Sequence, residues 1–171
     1  MKHRLAVMTY ALAIGLAFVC FPARAAVFGE NDTARLAGIT GAIQSFENDV
    51  GAALHNLSAD DSGEIESYAY VELNLQAAHE RLNNVFMLLA VSIFMETQSD
   101  QLLILDVLYW QILPPSRNYL NEKLDAIASM AAARPSSPVF AGYRYRADTL
   151  LRGRAIPFLD ELYERIAAAR P

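Results

Sequence analysis

The sequence predicts an all-α protein: a four-helix-bundle-like domain with a kinked third and fourth helix, preceded by a signal peptide. Three observations lead there. Apolar residues recur at alternating three- and four-residue spacing along most of the chain. Short polar clusters punctuate them, and no stretch sustains the two-residue alternation of a half-buried strand.

Residues 1–25 read as a secretory signal. Lys2, His3 and Arg4 form a basic start, and an apolar run extends from Leu5 to Phe21. Pro22 breaks it, and Ala23-Arg24-Ala25 supplies a small-x-small exit. Cleavage is expected after Ala25, leaving 26–171 as a single helical domain in the periplasm. An uncleaved inner-membrane anchor is the competing reading, but an anchor needs no such exit. Lipidation at Cys20 is disfavoured by Val19, where processing wants a small residue.

Removing the leader takes away the only cysteine, and with it any disulfide or thiol chemistry. Eleven Lys and Arg then face nineteen Asp and Glu, a net charge of −8. So acidic a chain argues against nucleic acid as a partner and against stable membrane insertion after cleavage. The remaining length is enough for one domain with its own core.

The first mature helix follows the polar cluster Asn31-Asp32-Thr33. Its stripe is Leu36, Ile39, Ile43, Phe46, Val50, Ala53 and Leu57. Gly38, Gly41 and Gly51 weaken it intrinsically, so a close approach by a neighbouring helix is expected at all three. The second helix starts near Asp61-Ser62, where Asp61 and Glu64 have capping-box spacing. Its stripe runs Ile65, Tyr68, Glu72, Leu75, His79, Leu82, Phe86, Leu89 and Ile93. No charge occurs from Leu82 to Met95, which predicts burial on most sides. After the polar turn at 96–100 comes an apolar run from Leu102 to Leu113. It ends at Pro114-Pro115, which should stop or kink the helix before a continuation carrying Leu120, Leu124 and Ile127. Arg134-Pro135-Ser136-Ser137-Pro138 reads as a linker. The last segment runs from about Gly142 to Arg170, with Gly153 and Pro157 marking a break.

Chemistry-bearing motifs are sparse. Ser58 to Glu66 resembles part of an EF-hand calcium loop, with Gly63 at the turn, Ile65 after it, and Ser58, Asp60 and Ser62 as oxygen ligands. Ser58 stands where Asp is normal and Ala69 where the bidentate Glu belongs, so an acidic turn is the better account. Glu72 and His79 share an inner stripe two turns apart, about 10.5 Å along the axis, too far to share a metal unaided. Gln76 occupies the position that a Glu-x-x-His di-iron signature would need. With Trp110, these two residues form the candidate ligand pocket. Tyr109, Phe86, Phe94 and Tyr119 could contribute further apolar lining. A Ser-His-Asp set from His55, Ser58 and Asp60 lies too close in one turn to converge. No metal or cofactor is expected, and no haem, phosphate-loop, dinucleotide or zinc pattern occurs.

The one basic concentration is Tyr143-Arg144-Tyr145-Arg146, followed by Arg152 and Arg154. Opposite it in charge is the stretch from Glu47 to Glu80, with eight carboxylates. Arg and Tyr favour interfaces, so Tyr143, Arg144, Tyr145 and Arg146 are the expected partner-binding residues. The partner is then another protein, or a second copy in a dimer. The function that follows is a non-enzymatic periplasmic interaction protein. The alternative is a small-ligand- or metal-binding bundle using Glu72 and His79.

Overall fold

The computed structural model describes residues 27–58, 60–95 and 98–169. The proposed signal peptide lies outside them. The described chain is helical, with no strand among its residues. Its α-helices are α1 (Glu30–His55), α2 (Ser62–Phe94), α3 (Gln98–Val107), α4 (Leu113–Ala132), α5 (Pro138–Ala147) and α6 (Ile156–Ala169). A π-helical stretch, Leu108–Ile112, joins α3 to α4, and another, Asp148–Ala155, joins α5 to α6. The six segments therefore make four rods: α1, α2, α3 through α4, and α5 through α6.

Cross-rod contacts give the packing direction. Gly51 meets Glu72 and Glu47 meets His79, while Arg81 meets Ser116 and Gly63 meets Arg134. Asp125 pairs with Arg152 and Arg117 with Asp160, and Asp49 pairs with Arg146 and Arg35 with Glu161. In every set one number rises as the other falls, so each rod runs antiparallel to its neighbour. The buried stripe of each helix fills the centre, with Leu36, Ile43, Phe46, Leu75, Leu82, Leu89, Leu108, Leu120, Ile127, Leu151 and Leu162 wholly enclosed. Each such side chain contributes about 1.5–3 kcal/mol by leaving water.

The two π-helical stretches have a common cause. A proline inside a helix offers no N–H to the carbonyl four residues back, and its ring pushes that carbonyl away. Pro114 and Pro115 follow the first stretch, and Pro157 follows the second. The backbone widens instead of stopping: Leu113 N–H bonds Leu108 O, and Ile156 N–H bonds Leu151 O, each five residues back. The double proline thus does not end the third helix. Pro138, read from sequence as linker, is the first residue of α5, where its missing N–H costs nothing.

The expected caps also shift. α1 begins at Glu30, ahead of the Asn31-Asp32-Thr33 cluster, and Asp32 Oδ2 accepts the Gly29 N–H at 2.9 Å. α2 begins at Ser62 as expected, but no capping box forms there. The Asp61 carboxylate turns back to accept the Ser58 N–H and O–H at 3.1 and 2.8 Å. The uncharged half of α2 is not enclosed on most sides, because Met87, Val91 and Phe94 face solvent.

Candidate functional site

The Tyr143–Arg146 segment sits on α5, where a helical step of about 100° per residue divides it between two faces. Tyr143 and Arg146 point inward. The Tyr143 ring meets Phe46, Tyr68 and Phe140 at centroid distances of 5.6, 5.7 and 5.9 Å. Arg146 Nη1 donates to Asp49 Oδ2 at 2.6 Å, and its guanidinium covers the Phe46 ring at 4.5 Å. Arg144 and Tyr145 point outward, and Tyr145 is 76% exposed. Half of the expected partner-binding set is therefore committed to holding the fourth rod on α1.

Burial, aided by Tyr68 beside it, pushes the Tyr143 hydroxyl up to about 12 from an ordinary 10.0. Because the folded state favours the neutral phenol, this contribution is complete below pH 10.0 and disappears as pH rises towards 12. Ultraviolet titration should show one tyrosine ionising late, together with the onset of alkaline unfolding. Both features should vanish in Tyr143→Phe. A titration identical in wild type and variant would refute this placement.

Tyr145 and Arg146 border a groove between α1 and the fourth rod. One opening, of about 470 Å³, is lined by Ala42, Ser45, Gly142, Tyr145, Arg146, Thr149 and Leu150. A second, of about 490 Å³, lies further along the same seam, between Ala34, Arg35, Gly38 and Ile39 on α1 and Gly153, Arg154, Pro157, Phe158 and Glu161 opposite. A Cβ added at Gly38, Gly41 or Gly142 would meet nothing within 4 Å. The expected close helix approach is thus absent at Gly38 and Gly41. It occurs only at Gly51, where a Cβ would stand 2.5 Å from Glu72 Oε1. Arg35 is held by Glu161 through two 2.9 Å hydrogen bonds. Arg144 and Arg154 are exposed and form no ion pair among the described residues.

No family model, curated protein or solved structure matches this chain. Function must therefore be argued from the site itself.

Glu72, His79 and Trp110 are not brought together. Glu72 and His79 face α1, where His79 Nδ1 lies 3.4 Å from Glu47 Oε2. That oxygen is buried and accepts no hydrogen bond among the described residues. Geometry that satisfies the distance of an ion pair but not a hydrogen bond makes this a loose contact. Trp110 sits on the third rod, 65% exposed, edge-on to Tyr109, which stacks on Tyr163 of α6 at 4.4 Å. No group of three His, Cys, Asp or Glu residues among those described could hold a metal ion.

The EF-hand-like loop has its own hydrogen bonds. Ser58 donates to Asp61, and Arg134 Nη2 reaches the Gly63 carbonyl at 2.5 Å. His55 Nδ1 donates to the Gly51 carbonyl at 2.7 Å and so does not face Ser58. Beside Pro114 there is a cavity of about 220 Å³, lined by Leu113, Arg117, Leu159, Asp160 and Tyr163. It is smaller than most ligand pockets.

Sequence reasoning missed the groove, although a signal was present. Ala34, Gly38, Gly41, Ala42 and Ser45 lie at helical spacing on one side of α1, and Gly142, Thr149 and Gly153 lie on the fourth rod. Small residues on two antiparallel helices mark either a tight contact or a gap, and the pattern itself is the same for both.

Proposed function

We propose that the mature protein is a non-enzymatic periplasmic interaction protein, an adaptor, inhibitor or immunity-type bundle. Its groove between α1 and the fourth rod receives a helix of a partner protein. The observation that carries this reading is the open seam over Gly38 and Gly142, rimmed by exposed Tyr145 and Arg154. A helix laid in such a groove buries apolar side chains between two rods, while Tyr and Arg at the rim supply anchoring contacts. Arg144 and Arg154 favour an acidic partner surface. The alternative of a small-ligand bundle has less support, because Trp110 lies apart from Glu72 and His79.

The test is to fill the groove without disturbing the fold. A Cβ at Gly38 or Gly142 meets nothing within 4 Å, so Gly38→Leu and Gly142→Leu extend side chains into the open groove. Removing a helix-interior glycine should leave stability unchanged or raise it by about 0.5–1 kcal/mol. A photoreactive residue at Tyr145 should cross-link one periplasmic protein, and the adduct should disappear in both leucine variants. The same photoreactive residue at Glu122, exposed on the third rod, should not yield it. An adduct that survives both leucines, or forms equally from position 122, would overturn the assignment.

A further inference from the structure

The outer face of α2 carries an apolar stripe that the groove does not use. Across this 33-residue helix from the buried Leu75, Leu82, Val85 and Leu89, Leu73 is 62% exposed, Met87 55%, Val91 40% and Phe94 82%. Together with Ala77, Glu80 and Asn84 they sit at 73, 77, 80, 84, 87, 91 and 94. Alternating steps of four and three are the spacing of a coiled-coil seam. Solvated single apolar residues need no explanation, but four large ones sharing coiled-coil positions on one exposed helix face mark an interface.

We propose that this face pairs two copies of the chain, antiparallel, about a two-fold axis between Asn83 and Asn84. The seven seam positions are nearly symmetric about that point. Leu73 lies about 16 Å to one side and Phe94 about 16 Å to the other, so each meets the other across the axis. Ala77 falls near Val91, and the Glu80 stem falls against Met87. The exposed Asn83 and Asn84 amides, each both donor and acceptor, meet one another across the axis at the centre.

Charge selects the direction. On this face the first half of α2 carries Glu66 and Glu80, at heptad spacing either side of Leu73, whereas residues 82–95 carry no charge. An antiparallel pair sets each acidic half against an uncharged one, and a parallel pair would oppose the carboxylates directly. A Gln76 hydrogen bond at 3.1 Å holds the Glu80 carboxylate. A lipid surface fits less well. No Lys or Arg occurs between Arg81 and Arg117 to meet anionic headgroups, and Asp100 and Asp106 lie on α3.

The test uses the chain beginning at Ala26, which contains every described residue and no cysteine. Sedimentation equilibrium should show a reversible dimer. Met87→Glu and Phe94→Glu should each raise its dissociation constant by at least about tenfold, as charging an interface anchor does, with helical circular dichroism unchanged. On oxidation, a mixture of Leu73→Cys and Phe94→Cys chains should form the mixed disulfide. A strictly monomeric wild type, or a dimer indifferent to both glutamates, overturns the proposal. Phe94→Cys chains linking to themselves instead would mean parallel pairing and overturn it as well. Binding of monomers to phosphatidylglycerol vesicles, lost in Phe94→Glu, would assign the stripe to lipid.

Discussion

Replacing Phe46 with alanine is expected to destabilise the protein by about 3–5 kcal/mol, the range for deleting an enclosed aromatic ring. Phe46 has no exposed surface and joins α1 to α5. It projects from α1 into the core, its ring meets Tyr143 at 5.6 Å, and the Arg146 guanidinium rests on it at 4.5 Å. Alanine leaves a cavity and removes both ring contacts, so the fourth rod loses part of its hold on α1. Phe46→Leu refills much of the volume without a π-face. It should recover most of the loss but leave a deficit of about 0.5–1.5 kcal/mol from the aromatic and cation–π contacts. Chemical denaturation of both variants measures this. A cost near zero for alanine would show that the ring is not enclosed as described.

The second large effect is expected at Asp32. Its side chain is almost fully buried and binds Arg165 through Oδ1 at 2.7 Å and Oδ2 at 3.0 Å. Arg165 also donates to the Val27 carbonyl, and its guanidinium lies 5.4 Å from the Phe28 ring centre. One ion pair thereby fastens the start of the described chain to α6. Asp32→Ala should cost about 1.5–3 kcal/mol, the range for losing hydrogen bonds to a charged group. Arg165 is 37% exposed, so water can solvate it once its partner is gone, which keeps the cost below that of a deeply buried pair.

The pH dependence has a definite sign. Burial alone would raise the Asp32 pKa. The hydrogen bond from Arg165, the Gly29 N–H and the positive charges of Arg165 and Arg35 outweigh burial and hold it below 3.8. A depressed carboxylate stabilises the fold above its unfolded value of 3.8 and loses that contribution as pH falls through the lower folded value. Acid unfolding below pH 3.8 should therefore be steeper in wild type than in Asp32→Asn. Equal slopes would count against the pair.

Much of the architecture was legible in the residues. The stripe from Leu36 to Val50 is buried on α1, and those of Leu75, Leu82 and Leu89 on α2 and Leu120, Leu124 and Ile127 on α4 are buried likewise. The start of α2 at Ser62 also agrees with the sequence. Capping was less legible. Asp61 has two sets of N–H groups within reach, those of its own helix and that of Ser58 behind it, and spacing alone does not choose between them. The candidate site was legible only in composition. The Tyr143–Arg146 cluster was visible, but not that Arg146 is spent on Asp49 while Tyr145 is left outside.

The sequence by itself determined that the described chain is helical and which stripe of α1, α2 and α4 is buried. Both follow from local periodicity, because a helix turns by a constant step and water expels its apolar face. Only the tertiary structure decided what the glycines do. Gly51 is pressed against Glu72, whereas Gly38, on the same helix, opens onto a groove. A residue without a side chain permits both arrangements. The choice rests with the neighbouring rod, whose path beside α1 includes the widened π-helical stretch before Pro157.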